Sequence, residues 1–165
     1  MTVSQPPTIY VLMGVSGCGK STVGAALAAK LGCPFYDGDD FHPPRNVAKM
    51  SRGVPLTDAD REPWLDRLHN LIREQLARGE TAVLACSALK KQYREHLRQG
   101  NDSVQFVYLR GDFDLIWQRL KTRRGHYMKA DMLRSQFRAL EEPDVDEAII
   151  VDVEHDVSTI VEQLI

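Results

Sequence analysis

The chain has few cysteines, and their number and spacing exclude two common kinds of small protein. Its 165 residues contain three, Cys18, Cys33 and Cys86, with no CxxC pair and no cysteine–histidine spacing of a zinc site. Three widely separated cysteines offer no disulfide framework, because such frameworks use even numbers of cysteines. The sequence therefore predicts neither a disulfide-stabilised domain nor a structural zinc site.

A strong charge of either sign is also lacking. The chain has 21 Lys and Arg residues and 23 Asp and Glu residues, a formal net charge of -2, so no overall field attracts it to nucleic acid or acidic lipid. Its apolar runs are far shorter than a membrane span, and the first ten residues lack the basic and apolar regions of a secretory signal. We therefore expect a cytoplasmic protein with neither a membrane nor a nucleic acid as partner.

The composition that is present is typical of one globular domain. Hydrophobic residues make up 43% of the chain and charged residues 27%, which are ordinary values for a soluble protein. A chain of this length buries a substantial core without disulfides or metal ions. No internal repeat, low-complexity tract or interdomain linker interrupts it, so we expect a single domain over residues 1–165.

Short apolar runs alternate with amphipathic stretches along the chain. Between these runs, apolar residues recur at helical spacing, as from Trp64 to Leu76. This alternation predicts an α/β protein with a parallel sheet and helices on both faces. Two polar segments, 41–60 and about 123–132, break the pattern, and we expect them to be mobile flaps over a site. The runs with the length of strands are 8–14, 33–37, 81–87, 104–111 and 148–153.

Residues 14–21 read GVSGCGKS and match the phosphate-binding pattern G-x-x-x-x-G-K-[ST] in full. In this pattern glycines let backbone N–H groups approach phosphate oxygens, Lys20 neutralises their charge, and Ser21 can coordinate Mg²⁺. The segment follows an apolar strand and opens a helix, whose positive dipole end faces the same anion. It therefore predicts a nucleotide site. The expected members of that site are Gly14, Val15, Ser16, Gly17, Cys18, Gly19, Lys20, Ser21 and Thr22.

Three kinds of small P-loop protein use such a loop: a GTPase switch, an ATPase motor and a small-molecule kinase. A GTPase carries an N-K-x-D guanine signature, which the sequence does not contain. An apolar run ending in aspartate, as in a Walker B strand, occurs only at 148–152, in the last predicted strand, where it is poorly placed for magnesium. These observations favour a kinase, and a regulatory protein gated by nucleotide remains the alternative.

Beyond the loop, the sequence resembles the gluconate kinases, which are relatives of shikimate kinase within the nucleoside-monophosphate-kinase-like fold. The resemblance spans roughly residues 8 to 153 and is carried by YVLMGVSGCGKST, DGDDFHPPRNVAKMSRGVPLTDADREPWL, CSALKKQYR, VYLRGD and RRGHYMKADMLRSQFRALEEP. It implies a five-stranded parallel sheet in the order 2-3-1-4-5, an acceptor-binding region over about 38–78 and a lid over about 123–132. It also implies phosphorylation of D-gluconate with ATP and Mg²⁺, and it favours a homodimer. A kinase of another small acceptor, such as shikimate or a nucleoside monophosphate, is the nearest alternative.

The same resemblance suggests roles for the acidic residues that follow the second predicted strand. In the shikimate kinase relatives, a D-x-D pattern there has one carboxylate near the water shell of Mg²⁺ and the next on the acceptor hydroxyls. Asp37 and Asp39 match this pattern. We therefore expect Asp39 to orient or deprotonate the attacking hydroxyl, and Asp37 to assist Ser21 in holding the metal. Asp40 is interpreted as a solvated turn carboxylate.

A polyhydroxy acid needs acceptors for its hydroxyls and cations for its carboxylate. Lys90 and Arg94 are spaced i, i+4 after the 81–87 strand, so we expect them to share a helix face at the ligand-binding edge of the sheet. The candidates for this role also have a plainer interpretation: His42 as an ordinary loop histidine, and the lysines and arginines as surface charges. The substrate-binding candidates are Asp39, His42, Asn46, Lys49, Arg61, Lys90 and Arg94.

Arg119 and Arg123 resemble the R-x-x-x-R arrangement at the lid of these kinases. In that arrangement the first arginine stacks on adenine and the second reaches the phosphates when the lid closes. The alternative is a solvated basic helix end, which the helix dipole favours. With Lys20 and Asp39, Arg123 completes the predicted catalytic set.

Overall fold

The structure is a computed structural model that describes residues 6–122 and 130–165. Within these residues, five strands form one parallel sheet in the order β2-β3-β1-β4-β5. This order confirms the fold that the resemblance implied. The strands are β1 (Ile9–Met13), β2 (Phe35–Asp37), β3 (Ala82–Ala85), β4 (Val104–Arg110) and β5 (Ala148–Asp152).

Helices connect the strands and cover the sheet. A 3-10 turn, Gly38–Phe41, follows β2 directly. The α-helices of the described residues are α1 (Lys20–Leu31), α2 (Pro44–Ser51), α3 (Asp58–Ala77), α4 (Lys91–Arg98), α5 (Phe113–Lys121), α6 (Ala130–Ala139) and α7 (Val157–Leu164).

The sheet is buried on both faces, as its apolar strands predict. Burying one large apolar side chain contributes roughly 1.5–3 kcal/mol, so the two layers together hold the sheet firmly between them. The core with α1, α5, α6 and α7 includes Leu12, Leu27, Val107, Leu133 and Ile160. The core with α3 and α4 includes Val11, Trp64, Leu68, Leu84 and Phe106.

Residues 41–60, the first predicted flap, hold a short helix after the two prolines and the start of a longer one. Pro44 opens α2, since a proline in the first helical turn loses no hydrogen bond. Thr57 and Asp60 form a capping box, in which Oγ1 of Thr57 accepts from the N–H of Asp60 and the Asp60 carboxylate accepts from the N–H of Thr57. As a result α3 begins at Asp58, before the apolar stripe from Trp64 to Leu76 from which the helix was predicted.

The second predicted flap, about 123–132, is only partly described. Residues 123–129 lie outside the described residues, and 130–132 form the first turn of α6. None of the helices in 6–122 and 130–165 is both long and apolar enough to cross a bilayer.

Candidate active site

The carboxyl ends of three neighbouring strands meet at one edge of the sheet. The phosphate loop (residues 14–21) follows β1, the acidic turn (residues 37–41) ends β2, and residues 86–90 follow β3. Parallel strands bring these segments together where such sheets bind ligands. The N–H of Gly14 donates to the carbonyl of Ser87 at 3.2 Å, which connects the phosphate loop to the end of β3.

The glycines of the phosphate loop allow it to pack closely on its surroundings. Gly17 has a φ of 82°, a left-handed conformation that glycine adopts without steric cost. A Cβ at Gly17 would lie 2.6 Å from Cγ of Leu120, and one at Gly14 would lie 2.8 Å from Sγ of Cys18. The loop therefore rests directly on α5 and on its own buried cysteine, and these contacts determine its shape.

Lys20 lies across the phosphate loop. Its Nζ donates to the carbonyls of Gly14 and Val15, each at 3.0 Å. Because α1 begins at Lys20, the positive end of the helix dipole faces the loop as well. Ser21 and Thr22 follow as exposed residues of the first helical turn. An ammonium group, a helix dipole and a glycine-rich backbone are thus gathered at one place, which suits a polyphosphate.

Ser21 and Asp37 come together between the phosphate loop and the acidic turn. Oγ of Ser21 donates to Oδ2 of Asp37 at 3.3 Å, and Oδ1 of Asp37 accepts from the N–H of Asp39 at 3.0 Å. The second bond caps the 3-10 turn and fixes the direction of the Asp37 carboxylate. Hydroxyl and carboxylate oxygens are the hard donors that Mg²⁺ prefers, so this pair fits that ion.

A neutral histidine lies beside the acidic turn. His42 stacks on Trp64, with ring centroids 4.2 Å apart, and its Nδ1 accepts from Nδ2 of Asn46 at 3.2 Å. Burial, with a smaller contribution from the charge of Arg61, lowers the pKa of His42 to about 4. The ring proton therefore sits on Nε2, which lies 3.9 Å from Oδ1 of Asp39.

Asn46 supports His42 from behind and does not line the surface of the site. Its side-chain amide also donates to the carbonyl of Asp60 at 2.8 Å, which sets the orientation of the amide. Asn46 is 0% exposed, so no acceptor molecule reaches it in this conformation. The structure thus places Asn46 behind the ring of His42, and its predicted contact with the substrate stays a prediction.

Two of the predicted acceptor cations are paired with carboxylates. Nζ of Lys49 lies 2.7 Å from Oδ2 of Asp60, and Nζ of Lys90 lies 3.0 Å from Oδ1 of Asp58. Hydrogen bonds from Tyr93 and Lys90 lower the pKa of Asp58 to about 2, and one from Lys49 lowers the pKa of Asp60 to about 2. Each pair therefore offers an ammonium donor beside a carboxylate acceptor at neutral pH.

Tyr93 is a residue of this region that the sequence analysis missed. It is buried, and its hydroxyl donates to the Asp58 carboxylate. Nη1 of Arg61 donates to the Tyr93 hydroxyl at 3.2 Å and to the carbonyl of Leu56 at 2.6 Å. Tyr93 therefore joins α3 to α4 where their cations lie. The sequence held one sign of this role, since Tyr93 follows Lys90 by three residues. A tyrosine on a predicted helix, however, more often belongs to the hydrophobic core.

Arg94 does not form the exposed pair with Lys90 that its spacing predicts. Lys90 precedes the first turn of α4, whereas Arg94 as a whole residue is 1% exposed. Its Nε donates to Glu147 at 2.7 Å, and its Nη1 donates to the carbonyls of Ala88 and Leu89. The i, i+4 spacing identifies a shared face without telling whether that face is buried. In this structure Arg94 supports residues 88–89 from inside, and its predicted contact with the acceptor stays a prediction.

Two further residues of interest lie in the second half of the chain, and one of them contacts the phosphate loop. Arg119 donates through Nη2 to the carbonyl of Val153 at 2.7 Å, beside the end of β5. Gln136 of α6, which the sequence analysis missed, is hydrogen-bonded to Ser16 of the phosphate loop. Arg123 lies outside the described residues, so its catalytic role stays a prediction.

The strand order, the phosphate loop after β1 and the acidic turn after β2 define the chain as a P-loop kinase. A protein-family model described as "Shikimate kinase" matches residues 16–165. The chain is 48% identical over 156 residues to the "Thermosensitive gluconokinase" of Escherichia coli (strain K12), which covers 93% of this chain and 83% of that relative.

Two further comparisons agree with this assignment. The "Gluconokinase" of Gluconobacter oxydans (strain 621H) is 49% identical over 160 residues, 96% of this chain and 90% of the relative. The crystal structure of a gluconokinase from Sinorhizobium meliloti 1021 has a TM-score of 0.86 and 42% identity, covering 97% of this chain and 90% of that one. The chain belongs to the gluconokinase family.

Proposed function

We propose that the protein is an ATP:D-gluconate 6-phosphotransferase, a gluconokinase that acts in the catabolism of gluconate. Identities of 48% and 49% to gluconokinases over almost the whole chain support the proposal. Within the site, the proposal rests on two ion pairs beyond the acidic turn, Lys49–Asp60 and Lys90–Asp58. A polyhydroxy acid needs hydrogen-bond donors and acceptors side by side, and these ion pairs supply both.

In this proposal ATP binds along the phosphate loop. The loop backbone and Lys20 hold its phosphates, and Arg119 packs on its adenine. Ser21 would coordinate Mg²⁺, and Asp37 would hold one of its waters. Bound Mg²⁺ supplies neutralisation of charge on the β- and γ-phosphates. Arg123 is proposed to reach the transferred phosphoryl group.

Asp39 is proposed to orient and deprotonate the attacking hydroxyl. Phosphoryl transfer depends mainly on positioning and charge stabilisation, so a carboxylate held in one direction is the main requirement for the acceptor side. The Nε2–H of His42 faces Oδ1 of Asp39 at 3.9 Å. This separation is longer than a hydrogen bond, and a neutral ring beside the carboxylate leaves its negative charge in place.

The acceptor is proposed to lie among His42, Lys49, Arg61 and Lys90. Its carboxylate would bind an ammonium or guanidinium group of this set, and its hydroxyls would donate to the ion-paired carboxylates of Asp58 and Asp60.

We also propose, from the resemblance to the family, a cytoplasmic homodimer. Sedimentation equilibrium of the purified protein tests the dimer, and a single monomeric species would refute it.

A coupled assay of ADP release tests the proposed reaction. Gluconate, shikimate and nucleoside monophosphates are supplied in turn with ATP and Mg²⁺, and Lys20→Ala serves as the blank for contaminating kinases. We expect turnover with gluconate, and a phosphate on its 6-hydroxyl by phosphorus–proton NMR coupling. Turnover with shikimate but not gluconate would instead support the activity that the family description suggests. Slow hydrolysis whichever acceptor is added would favour a regulatory nucleotide-binding protein.

A further inference from the structure

Gln136 and Ser16 are joined by two hydrogen bonds in opposite directions. The backbone N–H of Ser16 donates to Oε1 of Gln136 at 2.7 Å, and Nε2 of Gln136 donates to Oγ of Ser16 at 3.1 Å. One amide group thus binds both the main chain and the side chain of a single loop residue. Since both bonds must be made together, the contact fixes the position and the rotamer of Ser16.

The helix that carries Gln136 is well anchored. Leu133 of α6 is 0% exposed, and Phe137 packs on Phe113 of α5 with ring centroids 5.8 Å apart. Gln136 lies between these two contacts in sequence, so its side chain extends from a fixed backbone. The α6 helix therefore acts as a support for the phosphate loop, although 120 residues separate Gln136 from Ser16.

The two bonds also decide what Ser16 can offer to a ligand. A serine hydroxyl has one hydrogen to donate. Because Oγ of Ser16 accepts from Gln136, that hydrogen points elsewhere, and Ser16 is only partly buried. The backbone N–H of Ser16 is already bonded, so the hydroxyl is the donor that Ser16 has left for a phosphate.

The position of Lys20 indicates which phosphate lies near this hydroxyl. In loops of this type the lysine reaches the β- and γ-phosphates. Here its Nζ lies 3.0 Å from the carbonyls of Gly14 and Val15, the two residues that precede Ser16. Ser16 therefore lies at the end of the loop that faces the terminal phosphate of a nucleoside triphosphate.

We propose that Gln136 is a positioning residue for phosphoryl transfer. By holding the N–H and Oγ of Ser16, it directs the Ser16 hydroxyl to donate to the terminal phosphate of ATP. The transfer step rests on the proposed function, whereas the preference for a nucleoside triphosphate over a diphosphate does not. A diphosphate lacks the oxygen that this hydroxyl binds, so Gln136 acts on triphosphate affinity and on turnover.

The test compares Gln136→Met with the wild-type protein by calorimetric titration of a non-hydrolysable ATP analogue and of ADP. We expect the affinity for the analogue to fall by about tenfold, because a hydrogen bond to a charged phosphate has that order of effect. The affinity for ADP and the KM for gluconate should stay unchanged, and kcat should fall. The matched control, Gln163→Met on the exposed face of α7, should behave as wild type.

Gln136→Glu gives a second, more conservative variant. It keeps the acceptor for the Ser16 N–H but loses the donor, so the Ser16 hydroxyl would turn to the new carboxylate and leave the phosphate. We expect a larger loss of analogue affinity than in Gln136→Met, again with ADP affinity retained. Full affinity for the analogue in both variants would overturn the proposal.

Ser16→Ala closes a double-mutant cycle with Gln136→Met. If Gln136 acts through Ser16, the double variant loses no more analogue affinity than either single variant. Additive losses, or equal losses for ADP and the analogue, would mean that Gln136 acts on general stability and would overturn the proposal. Failure of the wild-type protein to phosphorylate gluconate would refute the proposed function, and the binding cycle would still decide the role of Gln136.

Discussion

At the scale of single residues, His42 links the chemistry of the site to the stability of the fold. Its pKa in the folded protein is about 4, against an ordinary value of 6.5. Between these values the unfolded chain binds a proton that the folded protein does not, so the contribution of His42 to stability is complete above about pH 6.5 and is lost as the pH falls towards 4.

We predict that the stability advantage of wild type over His42→Gln shrinks on acidification from about pH 7 to about pH 4.5. The decrease should be roughly 2 kcal/mol after solvent screening, since one pKa unit is worth about 1.4 kcal/mol. Urea denaturation at several pH values measures it. Asp58 and Asp60, whose pKa values are about 2, stay charged in this window. A constant difference across the range would contradict the buried neutral state.

Asp39 has the most specific chemical role proposed for a single side chain. Asp39→Asn keeps the size of the side chain but removes the base, so we predict a loss in kcat of about 100-fold or more. Binding of ATP should be retained, as measured by titration with a non-hydrolysable analogue. Asp40→Asn, one residue along in the same turn, is the matched control and should keep nearly full activity. Near-normal turnover of Asp39→Asn would refute the role as base.

At the scale of elements, Arg94 joins the start of α4 to the segment that precedes β5. Its ion pair with Glu147 is buried, with the Arg94 side chain 2% exposed. Removing one partner leaves the other charge buried without a counter-charge. Such a loss typically lowers the free energy of unfolding by about 3–5 kcal/mol. We therefore expect the loss of Arg94 to affect the stability of the fold more than the binding of the substrate.

We predict that Arg94→Met lowers the free energy of unfolding by about 3 kcal/mol or more. Arg98→Met, an exposed position on the same helix, is the matched control and should cost less than about 1 kcal/mol. Urea denaturation of both variants gives the comparison. A small effect at Arg94, accompanied by a large rise in KM for gluconate, would support the role of acceptor ligand that the sequence predicts.

The same elements separate what the sequence could predict from what it could not. The phosphate loop and the strands were predictable, because Gly14 to Ser21 and the apolar runs have local signatures. The start of α3 was not, since the capping pair of Thr57 and Asp60 lies outside its apolar stripe. The burial of Arg94 and the contact of Gln136 with Ser16 depend on partners far away in sequence, and no local pattern reports them.

At the scale of the whole molecule, the strand order brings the predicted nucleotide and acceptor residues to one edge of the sheet. Ligand binding there should therefore stabilise the entire fold. We predict that ADP with Mg²⁺ at 100 times its dissociation constant raises the free energy of unfolding by about 2.7 kcal/mol. Denaturation with and without ligand measures the shift. Lys20→Ala should show a much smaller shift, and an equal one would argue against the predicted loop as the binding site.

The stacking of His42 on Trp64 gives the protein a built-in optical signal. A protonated imidazole in contact with an indole quenches its fluorescence, whereas a neutral one does so weakly. The emission of Trp64 should therefore fall as the pH approaches 4 and should change when an acceptor enters beside His42. Because Trp117 lies in the other core layer, on α5, a Trp117→Phe variant would leave Trp64 as the single tryptophan. Its emission, excited apart from that of the tyrosines, would follow the acceptor region without any attached label.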